Sequence, residues 1–283
     1  MPASPADEIA ALARMTDPRR PFAPGGAAPE PDPDTPKLRP TGYLAVTRTA
    51  TYGFLAALPL LVLYEVGILF ANAGQPGAIR VGADVWLKTL LGALGATGWA
   101  AFGLVVLLIG AVVFWAERDR RPPLVPRYFA GIVGEGLMYA VVLAVLVGGT
   151  VGLLFGAHAW PAARMAQGIG GMSVPLQLAL SIGAGLYEEL FFRVLLVGGL
   201  FLLAHKVLPR RGQAYAVAAV VGALVFSAVH YMGPLGDPFA LPSFTFRFLF
   251  GLALNGVFLL RGFALAAWAH ALYDVLLVVG GFG

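Results

Sequence analysis

Residues 174–203 read VPLQLALSIGAGLYEELFFRVLLVGGLFLL. Wound as a helix, this stretch exceeds the ~20 apolar residues needed to cross about 30 Å of hydrocarbon. Its three ionisable side chains, Glu188, Glu189 and Arg193, fall within six residues near its centre. A charge at the middle of a bilayer costs on the order of 3 kcal/mol or more, so such residues face an interior cavity and mark chemistry or transport. Two further polar residues stand in separate downstream apolar segments, His230 after ALVFSAV and His270 in WAHALYD. The sequence therefore outlines a buried polar centre assembled from three helices.

The rest of the chain has the same character. Hydrophobic residues make up 59% of the 283, charged residues only 12%, and the mean hydropathy is +0.80. Soluble domains carry about 25% charged residues, so the chain is read as integral to a membrane. Apolar segments near 51–73, 96–115, 130–156, 174–203, 214–231, 244–260 and 263–281 give an all-α, polytopic transmembrane helical bundle of about seven spans. The segment 83–94, with Trp86 and Lys88, reads as an interfacial helix. There is no cysteine, which excludes disulfides, thiolate metal sites and cysteine nucleophiles. The net charge of +4 is gathered in a few loops rather than a stripe, which argues against nucleic acid as a partner.

Ten of the 21 prolines lie in residues 1–40, so 1–45 is expected to be a disordered, Pro-rich tail, with one short helix near Asp7 to Met15. Residues 46–129 then form N-terminal spans, and 130–283 a helical core carrying the polar centre. No apolar core with a small-residue cleavage site precedes residue 50, so the first span is expected to direct insertion and remain. The stretch Gly168-Ile169-Gly170-Gly171 lacks the strand and the Lys-Ser/Thr of a phosphate loop, and is read as a turn or hinge with no nucleotide. Basic residues cluster at 117–127, at 205–211 and at Arg261, on one side with Lys37, Arg39 and Arg48. By the positive-inside rule that side and the N-terminus are cytoplasmic.

Residues four apart on a helix share a face, and neighbours diverge by about 100°. Glu189 and Arg193 are thus expected to form a buried structural pair that orients the helix. Glu188 is left without a counter-ion on its own helix, and an unpaired carboxylate among apolar groups has the makings of a general base. Phe226 stands one turn before His230 and braces its ring. His270 and Asp274 repeat the four-residue spacing, so the carboxylate holds one imidazole nitrogen and leaves the other free. Taken singly, each motif also fits a bland reading: a salt-bridged packing cluster, an interfacial histidine, an aspartate at a helix end. Glu65, Glu135 and Arg247 have no clear partners in the sequence, Asn255 is read as a hydrogen-bonding group of the sixth span, and all four are read as structural.

Together, Glu-Glu-x-x-x-Arg at 188–193, Phe-x-x-x-His at 226–230 and His-x-x-x-Asp at 270–274 resemble the CAAX-protease and bacteriocin-processing family of intramembrane peptidases, over roughly 130–281. Asp274 stands where the prenyl-protein proteases tend to carry Asn. The resemblance implies peptide-bond hydrolysis by an activated water, with Glu188 and His230 deprotonating and aiming it. It implies that His270 and Asp274 stabilise the oxyanion or orient its stabiliser. Glu188, His230 and His270 also meet the count for a catalytic zinc with one open position. They come from three helices with no His-Glu-x-x-His pair, and a metal-free mechanism is equally compatible.

Buried Glu, Arg, His and Asp also serve proton-coupled transporters, although no inverted pair of interrupted helices is visible. A catalytically silent scaffold or immunity protein is the other alternative. The Ala, Gly and Pro bias points to a high-GC bacterial gene and hence a bacterial inner membrane. A peptide or membrane-protein tail in the lipid bilayer then fits better as substrate than a prenylated one. Helix-depth arguments conflict, and the reading adopted is a mid-membrane cavity reached laterally or from the cytoplasmic side.

Overall fold

The computed structural model describes residues 39–73, 78–156, 171–233 and 236–280, the side chain of Trp99 apart. The expected tail, the helix near Asp7 to Met15 and most of the Gly168–Gly171 stretch lie outside the described residues. Within them the chain is helical throughout, with no strand. In chain order the helices are α1 Tyr43–Thr47, α2 Ala50–Ala71, α3 Gly82–Ala93, α4 Gly98–Ala116, α5 Pro126–Phe155, α6 Val174–Gly183, α7 Gly198–His205, α8 Arg211–Val229, α9 Leu241–Arg261 and α10 Phe263–Val279. Two π-helical segments, Ala184–Glu188 and Leu190–Val197, join α6 to α7, so one helical rod runs from residue 174 to 205.

Four helices, α2, α5, α8 and α9, are long and apolar enough to cross a membrane. The rod and the apolar α4 and α10 bring the total among the described residues to the seven expected apolar segments. Their boundaries follow local chemistry. Thr49 caps α2 by accepting from the Tyr52 N–H, and proline opens α5, α6 and α9, where its missing N–H costs nothing. Gly262, at φ +87°, ends α9 and turns the chain directly into α10. Leu107, Val112, Leu146 and Leu202 are more than half exposed on the outer faces, as expected for a surface against lipid. The protein is integral to a membrane.

Helix α10 lies at the centre. Ala264, Ala266, Ala267, Ala269 and Ala271 are essentially fully buried, and such small side chains let backbones approach closely. Gly136 of α5 sits where a Cβ would come within 2.9 Å of Trp268 Cβ. The indole Nε1 of Trp268 donates to the Ala56 carbonyl of α2 at 2.8 Å.

Several polar residues that look isolated within their own segments find partners across the fold. Glu135 accepts from Arg261 Nε at 2.6 Å and from the Tyr43 hydroxyl at 2.7 Å. Glu65 accepts from Arg80 at 2.6 Å, Lys88 at 2.7 Å and the Tyr187 hydroxyl at 2.8 Å. Arg247 donates to Ser243, Tyr231 and Asp237, and Asn255 Nδ2 donates to the Ala219 carbonyl at 2.8 Å. The expectation that Glu65, Glu135 and Arg247 lack clear partners is corrected, while Asn255 hydrogen-bonds as expected. Each partner sits in another element or loop, except Ser243, one turn away from Arg247 on α9. Helix α3 is accordingly tied to α2 by the Lys88–Glu65 ion pair and by the Tyr64 hydroxyl, which donates to the buried Asp84 at 2.9 Å.

Candidate active site

The rod carrying Glu188 and Glu189 is pressed against α10 and α2 at two glycines. A Cβ on Gly185 would lie 2.5 Å from both the Cβ and the backbone nitrogen of Ala271, and one on Gly183 would lie 2.3 Å from the Tyr64 ring. No side chain larger than hydrogen allows this approach, and it brings the two glutamates alongside α10. The π-helical winding around them, with i→i+5 bonding, is a feature often found at functional sites. No signal in the sequence pointed to it.

The adjacent glutamates turn to different surroundings. Glu189 is fully buried, lies 3.0 Å from Arg193 Nε and accepts from His270 Nδ1 at 2.7 Å. Arg193 is 1% exposed, stacks over the Phe226 ring at 4.6 Å and reaches the Gly251 carbonyl at 3.4 Å. Glu188 instead borders a cavity of about 360 Å³, with its side chain 17% exposed. One of its oxygens, Oε2, has no hydrogen-bond partner and faces His230 Nε2 at 3.9 Å.

His230 caps the end of α8. Its Nδ1 lies 2.7 Å from the Phe226 carbonyl. A carbonyl only accepts, so Nδ1 carries a proton, and in the neutral ring Nε2 is the acceptor turned to Glu188. The Phe226 ring meets this imidazole edge-on at 4.9 Å. His270 stands between two carboxylates, with Nδ1 on Glu189 and Nε2 at 3.6 Å from Asp274. The expectation that Asp274 holds one nitrogen and leaves the other free is therefore corrected: Glu189, 81 residues away in sequence, makes the tighter contact.

Glu188, Phe226, His230, His270 and Asp274 all line the one cavity, while Glu189 and Arg193 lie behind it. Phe192, Phe246, Phe250, Arg247 and Asp237 also line it, and their sequence context did not assign them to the site. For Arg247 a signal existed in the Ser243-x-x-x-Arg247 spacing on α9. Among the described residues no group of three His, Asp or Glu is placed to hold a metal ion, the trio Glu188, His230 and His270 included.

No curated protein and no solved structure matches the chain. Its residues 170–276 do match a family model, and that span contains all seven residues singled out from the motifs. The match supports a protease role and bears out the resemblance drawn from those motifs: the model that residues 170–276 match is that of the type II CAAX prenyl endopeptidase Rce1-like family.

Proposed function

We propose that the protein is an intramembrane endopeptidase in which Glu188 and His230 activate the attacking water. The observation that carries this reading is the pairing of Glu188 Oε2 with His230 Nε2 at 3.9 Å, both side chains reaching the cavity while Glu189 and Arg193 are sealed from it. A water held at ~2.8 Å from each group would span that 3.9 Å separation at an angle near ~90° and donate to both. Both of its protons are then engaged, and a lone pair is left to attack the carbonyl carbon. Glu188 takes one proton as the C–O bond forms and returns it to the nitrogen as the C–N bond breaks.

His270 donates one N–H to Glu189 and, with a proton on its other nitrogen, turns that donor toward the developing oxyanion beside Asp274. Glu189, Arg193 and Phe226 position the two imidazoles. The test is hydrolysis of a peptide library by the purified protein in detergent, with parent and Glu188→Gln compared. Loss of a general base costs ~100- to 10,000-fold. A Glu188→Gln variant within a few-fold of the parent would sink the assignment.

A further inference from the structure

The cavity lies toward one particular end of the bundle. Hydrogen bonds gather the basic loops at the other end: Glu117 accepts from the N–H groups of Ala50 and Thr51, Arg261 donates to the Leu44 carbonyl, Arg48 donates to the Leu259 carbonyl, and Tyr215 near the start of α8 donates to the Asn255 carbonyl. That end carries the charges of 118–127 and 206–211 together with Arg48 and Arg261. The cavity walls come from the opposite termini: Ile79 and Val81 before α3, Met172 before α6, Met232 and Asp237 between α8 and α9, and Val278 at the end of α10. His230, just past Val229, lies ~28 Å along α8 from Arg211 at about 1.5 Å per residue. At this end the cations among the described residues are already neutralised, Arg80 and Lys88 by Glu65 and Asp84, and Arg247 by Asp237.

Positive loops stay in the cytoplasm. We infer that the cavity is loaded from the non-cytoplasmic side, by an apolar peptide segment such as the outward end of a membrane-embedded chain. The walls fit that substrate: Trp86, Leu180, Phe192, Phe246, Phe250 and Leu277 offer apolar surface, and Glu188 and His230 are among the polar groups that line it. The inference differs from the mid-membrane cavity reached laterally or from the cytoplasmic side that is expected from the sequence. The peptide as occupant rests on the peptidase reading, whereas the side of access does not.

The cysteine-free chain allows a direct test in intact cells making the full-length protein. Single-cysteine variants Ala184→Cys, inside the cavity, Met232→Cys, at its mouth, and Arg120→Cys, in a basic loop, are exposed to a small charged methanethiosulfonate that does not cross membranes. Val229→Cys, also on the cavity wall, serves as a second reporter if Ala184→Cys does not accumulate. The expected result is modification at 184 (or 229) and 232 from outside, and at 120 only after lysis. Modification at 120 from outside, or a cavity cysteine that stays unmodified from outside, would overturn the inference. Labelling needs no turnover, so failure of the peptidase reading shows separately, as absent hydrolysis by the detergent-solubilised parent.

Discussion

Replacing Arg193 by alanine removes the only cation within salt-bridge reach of Glu189 besides the ring of His270 among the described residues. Both partners are buried, Glu189 at 0% and Arg193 at 1% exposure, so water does not take the place of the guanidinium. Breaking a buried pair by deleting one partner costs about 3 to 5 kcal/mol, and losing the guanidinium from the Phe226 face adds ~0.5 to 2 kcal/mol. At ~2 to 4 °C per kcal/mol for a chain of this size, the ion-pair term alone lowers the melting midpoint by roughly 6 to 20 °C. Thermal denaturation in detergent reads this directly. Adding Glu189→Gln to Arg193→Ala should recover part of the loss, because the uncompensated charge is then gone. Melting of Arg193→Ala within about 2 °C of the parent, below the shift of a single kcal/mol, would refute the argument that this pair holds the site together.

Two other outcomes follow from the packing and the donor set. Gly185→Ala forces the rod away from Ala271, and overpacking of this kind costs about 1 to 3 kcal/mol. Because the displaced rod carries both glutamates, hydrolysis should fall even where the variant still melts cooperatively, and unchanged kcat would show that the close approach is not needed. Exhaustive chelation should leave hydrolysis intact, since the proposed mechanism activates the water with Glu188 and His230 alone; activity lost on chelation and restored by zinc alone would contradict this.

The helical segments were legible because each is a long apolar run bounded by proline, glycine or basic loops, signals that act over a few residues. The proximity of Glu189 and Arg193 was legible for the same reason, as a four-residue spacing on one rod. Contacts between rods were not. Nothing local joins Glu189 to His270, Glu135 to Arg261, or Glu65 to Tyr187, because each pair is made by packing of elements far apart in sequence. Arg80, Asp84 and Lys88 are spaced four apart and pair locally, yet the second carboxylate that Arg80 and Lys88 share, Glu65, belongs to α2. The direction of the cavity was equally hidden, since it depends on which helix termini diverge.

The central claim is that two adjacent glutamates divide the work, Glu188 taking the proton and Glu189 holding His270 and Arg193. The most direct measurement is the pair of kcat/KM and melting midpoint for Glu188→Gln and Glu189→Gln in the same detergent. The account predicts that Glu188→Gln loses ~100- to 10,000-fold in kcat/KM with the parent's melting behaviour, while Glu189→Gln melts at lower temperature because Arg193 is left buried without its carboxylate. Full activity in Glu188→Gln, or a catalytic loss in Glu189→Gln with no change in melting, would contradict it.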